Sequence, residues 1–264
     1  MPKTSATAAP VMDNEYVKEF LSIMRKNNAP ETKTLLAILG QVTAMEKQLA
    51  AAVQELAAMR HDLAEAQKQN HPVKNALQKA VIIMQGQVLE LREDLAALKK
   101  VVIDGCKNAV QAFKDKGIAA LDGIARFFKI RPMLETIHTT ANRAAQFAEN
   151  AITNIEAISA NYHEAGRHLK NAGLALTGKD TVQEAKPNGM MLKTFSAPFR
   201  ATRACFAGIR NHAAVAARNM KQLEEKAAER KPSIKKDMEK YNEQIARESR
   251  DTPKRARSKP SPEH

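Results

Sequence analysis

The sequence is poor in the residues that build thick cores and tight turns. It has no tryptophan, three tyrosines and eight phenylalanines among its 264 residues, with only ten glycines and eleven prolines. Aromatic side chains dominate the cores of globular enzymes because each buries so much area, and glycine and proline mark the turns between short strands. The hydrophobic share of 44% is instead carried mostly by Ala, Leu, Val, Ile and Met. This composition is typical of long helices packed along narrow seams.

Cysteine and long apolar runs are also scarce. Cys106 and Cys205 lie about a hundred residues apart, and the chain has no CxxC or Cys/His ligand spacing, so neither a disulfide scaffold nor a zinc site is predicted. The longest uncharged run, residues 34–45, is shorter than the ~20 apolar residues of a membrane-spanning helix. Residues 1–12 lack the apolar stretch of a secretory signal. We therefore expect a cytoplasmic protein without an integral membrane segment.

Apolar residues recur at heptad spacing along the chain and predict an all-α, elongated helical bundle with long coiled-coil helices. A second seam runs from Leu77 to Ala109, and a third, rich in alanine, runs from Leu134 to Leu176. The clearest seam, residues 35–66, is predicted to mediate self-association. Its a and d positions include Leu35, Ile38, Val42, Met45, Leu49, Leu56, Met59 and Leu63. The pattern leaves open whether the helices form antiparallel hairpins within one chain or associate in parallel between chains.

Proline and glycine divide the chain into five predicted segments. Gly105, Gly117 and Gly123 predict a bend or a short break, since each costs ~1 kcal/mol relative to alanine in a helix. The last long helix is predicted to begin near Pro198. The segments are a short N-terminal helix with a flexible start (1–28), coiled-coil helices broken near 71–72 (29–131), a helical hairpin with a loop at 178–197 (132–231), a short amphipathic helix (232–249) and a disordered basic tail (250–264).

Two motifs suggest chemistry, and each fails on its context. Residues 173–180 approach the phosphate-binding pattern GxxxxGK[ST], but Asp180 replaces the hydroxyl residue and the motif closes a helix instead of following a strand. His163 and His168 are five residues apart, about 140° around a helix, so one metal ion cannot easily bind both. We therefore expect no enzyme activity, no cofactor, no metal and no small-molecule substrate.

Positive charge is in excess, with 42 Lys and Arg against 29 Asp and Glu and a net charge of +13. Residues 185–223 carry seven of these positive charges and no acid. Arginine suits phosphate because its planar fork bonds two oxygens at once. The predicted nucleic-acid-binding residues are Lys193, Arg200, Arg203, Arg210, Arg218, Lys221, Lys254, Arg255, Arg257 and Lys259. The alternative is that this basic face pairs with an acidic neighbouring helix or only keeps the protein soluble.

Five stretches of the sequence carry recognisable motifs. They are NEYVKEFLSIMRKNNAP at 14–30, QNHPVKNALQ at 69–78, DGCKNAVQAFKDKGIAALDGIARFFKIRPML at 104–134, YHEAGRHLKNAGLALTGK at 162–179, and residues 229–245. Together they resemble an uncharacterised family of basic helical proteins encoded on conjugative mobile elements of gut bacteria. The resemblance covers nearly the whole chain and implies no functional residue. It implies a bacterial cytoplasm and an element that moves DNA, which favours nucleic acid over membrane as the polyanion.

These features predict a non-enzymatic scaffold or accessory protein that self-associates by coiled coil and binds nucleic acid non-specifically. The alternative is a pure protein-interaction scaffold, with a homo-oligomer or a helical partner protein and no affinity for nucleic acid. A third hypothesis is a peripheral membrane protein. It rests on the stretch Lys99 to Arg131, where phenylalanines alternate with basic residues as in helices that lie on anionic lipid.

Overall fold

The computed structural model describes residues 9–65, 72–118, 120, 130–176 and 190–229. These residues are almost entirely helical, and no strand occurs among them, so the predicted all-α helical bundle is confirmed. A 3-10 turn, Val11–Asp13, precedes the first α-helix. The helices are α1 (Glu15–Lys26), α2 (Thr32–Glu65), α3 (Pro72–Lys116), α4 (Arg131–Leu176) and α5 (Met190–Glu229). None of these described helices combines the length and the apolar character needed to cross a membrane.

Local chemistry sets several of the helix ends. The Asn14 side chain accepts a hydrogen bond from the backbone N–H of Tyr16 and caps α1, as asparagine does at many helix starts. Pro72 is the first residue of α3, where its missing N–H has no intrahelical partner to lose. Gly117 follows the end of α3 with a φ of 63°, a left-handed conformation that glycine adopts without a steric penalty. Gly105, by contrast, is buried inside α3 and does not break it.

The start of α5 differs from the prediction. We predicted a loop over 178–197 and a helix beginning near Pro198, but α5 begins at Met190 and contains Pro198. The residues before the proline are mostly good helix formers, which offsets part of the roughly 3 kcal/mol that an interior proline costs through its missing N–H and its ring. Phe199 is fully buried beside it, which holds this turn against the core. Residues 177–189 and 230–264, with the rest of that loop, the short amphipathic helix and the basic tail, lie outside the described residues.

Helices α2 to α5 form an antiparallel four-helix bundle. The chain divides into two compact units, Met1–Glu224 and Glu225–His264, and the bundle belongs to the first. One polar contact marks each neighbouring pair: Glu46–Lys99 (α2–α3), Glu90–Arg143 (α3–α4), Glu156–Arg200 (α4–α5) and Gln41–His212 (α2–α5). A second contact in each pair shows that the helices run in opposite directions: Arg60–Gln85, Asp94–Thr140, Glu224–Arg131 and Gln48 against Gly208.

Helix α1 covers the bundle where α2 begins and α3 ends. Its four buried residues are Val17, Phe20, Leu21 and Met24. Phe20 lines a small apolar crevice together with residues of α2 and α3. The Glu46 carboxylate ties the same region together, because it accepts hydrogen bonds from the backbone N–H of Val11 and from Lys99 at 2.9 Å.

The α2 seam is buried within a single chain. The α2 seam is the predicted self-association seam, and its eight residues listed above, from Leu35 to Leu63, are all buried in the core of the bundle. Burial of a large aliphatic side chain contributes about 1.5–3 kcal/mol, so this seam is a main source of the fold's stability. Within one chain the apolar surface of the seam is already covered, and self-association through it stays a prediction.

The core changes character around the bundle. Helices α2 and α3 contribute mostly Leu, Val, Ile and Met, whereas α4 contributes five buried alanines and α5 combines buried alanines with large residues such as Phe199 and Phe206. The alanines with an exposed fraction of zero are Ala52, Ala141, Ala144, Ala148, Ala213 and Ala216. Small side chains allow two helices to approach closely, and the larger residues opposite them fill the space to the density of a protein interior.

Candidate interaction surfaces on helices α4 and α5

Five of the predicted nucleic-acid-binding residues lie on one side of α5, along its contact with α4. We call this set the basic edge. It consists of Arg200, Arg203, Arg210, Arg218 and Lys221. Helical periodicity places them on one side because their spacings are near multiples of a 3.6-residue turn. Lys193 also lies on α5, whereas the tail residues Lys254, Arg255, Arg257 and Lys259 fall outside the described residues.

Three members of the basic edge bind side chains of α4. The Arg200 guanidinium donates to the Glu156 carboxylate at 2.8 Å, and Arg203 forms an ion pair with Glu149. Arg210 donates to the amide oxygen of Asn142 at 3.3 Å. Both carboxylates and both paired arginines are partly exposed, so each pair contributes only about 0–1 kcal/mol to stability.

These pairs reduce the attraction that the basic edge exerts on a polyanion. A phosphate that approaches Arg200 or Arg203 must compete with a carboxylate already in hydrogen-bonding range. The carboxylate stays nearby after it is displaced and repels the phosphate. Arg218 and Lys221 lie further along α5 and are exposed. Much of the basic edge is therefore paired with a neighbouring helix, which is the alternative stated in the sequence analysis.

The partners of the basic edge were missed by the sequence analysis, although a signal for them exists. Glu135, Asn142, Glu149 and Glu156 recur at intervals of seven along α4. A polar row at heptad spacing beside an apolar seam is what an ion-paired helix contact requires. The polar row of α4 and the basic edge of α5 are therefore the sequence signal for this contact.

The second candidate surface is the carboxyl-terminal part of α4, residues 160–176, which we call the α4 extension. The heptad pattern predicts that the seam continues to Leu176, but burial along the described part of α4 ends at Ser159. In the extension Leu169 is 76% exposed and Leu176 is 89% exposed, and Ala165 and Ala172 are exposed as well. An apolar stripe therefore continues from the core into solvent.

Helix α3 packs against α4 but does not reach far enough to cover the α4 extension. Glu90 of α3 pairs with Arg143 of α4, and the two helices are antiparallel. Pro72, the first residue of α3, lies eighteen positions before Glu90, and Asn161 lies eighteen positions after Arg143. Helix α3 therefore begins level with about residue 161, and the α4 extension runs past it.

Charges of both signs accompany the apolar stripe. Glu164 pairs with Arg167 and, at 3.3 Å, with His168. The hydrogen bond from Arg167 and its positive charge lower the pKa of the Glu164 carboxyl below its usual range, with a smaller effect of His168. At 100° per residue, Arg167 lies on the opposite side of α4 from Leu169 and Leu176, so this ion pair leaves the apolar stripe uncharged. An uncharged apolar stripe at helical spacing is suited to another helix, not to a polyanion.

Potential metal ligands and the two cysteines have the following surroundings in the described residues. Within them, no three His, Cys, Asp or Glu side chains lie close enough together to hold a metal ion. Burial raises the pKa of the Cys106 thiol to about 12, so this cysteine is an uncharged apolar residue at neutral pH. The Cys205 thiol is also buried, and its pKa is raised by burial and by the charge of Glu55.

Comparison with known proteins matches residues 13–260 to a family of unknown function, DUF6674. The chain belongs to the DUF6674 family. This confirms the predicted membership of an uncharacterised family, and the matched range includes the five α-helices that the structure describes. No curated protein and no solved structure is detectably similar to it.

Proposed function

We propose that this DUF6674 protein is a non-enzymatic helical scaffold that binds a helix of a partner protein through the α4 extension. The observation that carries the proposal is the change along one seam, buried up to Ser159 and exposed at Leu169 and Leu176. A helix laid along this stripe would continue the packing of the core by one further element. Such a protein would work in the bacterial cytoplasm that the sequence resemblance implies.

The size of the stripe sets the expected strength of binding. Burial of each of the two leucines would contribute about 1.5–3 kcal/mol to the free energy of binding. The entropy lost when the partner becomes ordered opposes this gain. The contact is therefore expected to be reversible unless the partner adds contacts beyond the stripe.

Site-specific photo-crosslinking in the native cell tests the proposal. A photoreactive residue at Leu169 should give a discrete adduct, whereas the same residue at Gln146, exposed on the same helix but outside the extension, should not. The captured protein is then purified, and its affinity for the chain is measured directly. Leu169→Asp with Leu176→Asp should weaken binding at least tenfold, and Gln146→Asp should leave it unchanged. Equal affinity for both variants would rule out the extension as the docking surface.

Nucleic-acid binding through the basic edge is the second candidate. It is supported by the net charge of +13 and by the exposure of Arg218 and Lys221. An origin on conjugative elements, implied by the resemblance of the sequence, would supply DNA as the partner. In this case binding would be non-specific and strongly dependent on salt, since each neutralised phosphate releases counterions.

The ion pairs of α4 allow this second candidate to be tested without disturbing the core. Anisotropy of a labelled duplex is measured over a range of salt concentrations. Glu149→Gln with Glu156→Gln would release Arg203 and Arg200, and should strengthen binding several-fold if the basic edge meets phosphate. Glu15→Gln with Asp104→Asn removes two exposed acidic charges from α1 and α3, and is the control for the same change in net charge. An equal effect of the two changes would assign any binding to net charge alone.

A further inference from the structure

Helix α3 carries a cluster of exposed apolar residues on its outer face. Ile82 is 66% exposed, Ile83 is 47% exposed and Leu89 is 55% exposed. Gly86 lies between them, and a Cβ atom built there would meet nothing within 4 Å. Single exposed apolar residues are common on protein surfaces, but a cluster around a glycine is a feature of helix contacts.

The cluster faces directly away from the core of its own chain. The buried residues of this stretch, including Val81, Met84 and Val88, point into the bundle. At 100° per residue, Gly86 and Ile82 lie on the opposite side of the helix. Their packing therefore contributes nothing to the fold of one chain, and the cluster is available to another molecule.

The exposed face has a heptad spacing of its own. Lys79, Ile82, Gly86, Leu89 and Glu93 follow one another at intervals of three and four. This is the spacing that aligns residues along one side of a helix for contact with another helix. Helix α3 thus carries two seams on opposite sides, one inside the bundle and one outside.

The charges on this face select the partner. Lys79 and Glu93 lie seven residues to either side of Gly86 and have opposite signs. Both are exposed, and neither forms an ion pair within the described part of the chain. When two copies pair antiparallel about a two-fold axis at Gly86, Lys79 of each copy faces Glu93 of the other. The same symmetry brings Ile83 of each copy opposite Leu89 of the other.

We propose that the outer face of α3 binds a second copy of this chain, antiparallel and with the two-fold axis at Gly86. The interface is isologous, since one patch meets the same patch. Absence of a side chain at Gly86 lets the two helices approach closely at the axis. A parallel pair would instead place Lys79 against Lys79 and Glu93 against Glu93, which is repulsive. This inference is independent of the α4 extension and would give a scaffold two copies of it.

The seam is short, so the dimer is expected to be reversible. From Lys79 to Glu93 the helix rises about 20 Å, and interfaces this small fall below the roughly 1,200 Å² of stable complexes. We expect a dissociation constant on the order of micromolar.

Sedimentation velocity of the full chain with swapped charges tests the interface. Lys79→Glu alone and Glu93→Lys alone should each weaken dimerisation at least tenfold. Each change puts like charges opposite each other in both of the symmetry-related contacts between positions 79 and 93. The double swap should restore dimerisation, since opposite charges again face each other. A wild-type chain that stays monomeric at every concentration, or single swaps without effect, would overturn the proposal.

A steric variant keeps the test independent of charge pairing. Gly86→Arg should abolish the dimer while the far-UV circular dichroism and thermal unfolding stay those of a folded protein, because the position has open space in the chain. Gly40→Arg, exposed on α2 with equally open surroundings, should leave the dimer intact. Loss of the dimer in both variants, or in neither, would contradict an axis at Gly86.

Discussion

At the scale of single residues, Asp94 is a charged group in an unfavourable position within the described part of the bundle. It lies where α3 meets α4, and one of its carboxylate oxygens is buried without a hydrogen-bond partner. Burial raises the pKa of Asp94, with Glu90 and Glu93 adding to the effect, while a hydrogen bond with Thr140 and the charge of Arg143 act against it. The fold therefore disfavours the ionised form of this side chain.

Replacing Asp94 by asparagine should stabilise the protein at neutral pH. Because the folded-state pKa is raised above 3.8, the contribution of Asp94 to stability is present below pH 3.8 and is lost as the pH rises through the folded-state pKa. An asparagine side chain does not titrate and can still bond Thr140. Denaturant unfolding should show a larger free energy of unfolding for Asp94→Asn at pH 7, and this gain should fade as the pH falls towards 3.8.

The exposed Asp104 on the same helix provides the control. Asp104→Asn removes the same charge from α3 without a buried carboxylate to relieve. An equal gain for both variants would attribute the effect to net charge, and a loss of stability for Asp94→Asn would show that ionised Asp94 is favourable in the fold.

At the scale of helices, α4 shows how far heptad periodicity predicts structure. One apolar pattern runs from Leu134 to Leu176. Its first part is core, and its last part is surface, since α3 begins level with about residue 161. The pattern predicts the helix correctly because periodicity is a property of one segment. It does not predict which part is covered, because that depends on where other helices begin.

The two parts of α4 should respond differently to the same substitution. Leu134→Ala removes a fully buried side chain and should lower the free energy of unfolding by about 2–5 kcal/mol. Leu169→Ala acts on a side chain that is mostly exposed and should change it by no more than about 0.5 kcal/mol. Denaturant titrations of both variants provide the measurement. A comparable loss at Leu169 would mean that the extension is packed in the free protein.

The periodicity of one segment does not show which other helices cover it, and this explains the other differences between the sequence analysis and the structure. The α2 seam has the spacing of a coiled coil, and the identity of its partner, here the other helices of one chain, is set only by the tertiary fold. The sequence of α5 alone shows its arginines as a basic stripe. It does not show their partners Glu149 and Glu156, because these lie about fifty residues away in the chain. Composition and periodicity thus predicted the class of fold and its helices, and neither could predict which surfaces face solvent.

At the scale of the whole molecule, the distribution of covered and uncovered surface supports the account of function. The α2 seam is covered, and much of the basic edge is paired with α4. The α4 extension and the outer face of α3 are exposed, and both are apolar at helical spacing. Their chemistry is the basis of the two proposals, a helix of a partner protein on the α4 extension and a second copy of the chain on the outer face of α3.

Hydrogen exchange of the free protein, followed along α4 by mass spectrometry, tests the central claim most directly. Backbone amides from Leu134 to Ile158 should exchange slowly, because the packed bundle must open before they do. Amides from Ala160 to Leu176 should exchange faster by orders of magnitude, because none of the side chains described in these turns is buried. Slow exchange continuing to Leu176 would contradict the account, since the apolar stripe would then already be covered and could not be the docking surface for a partner.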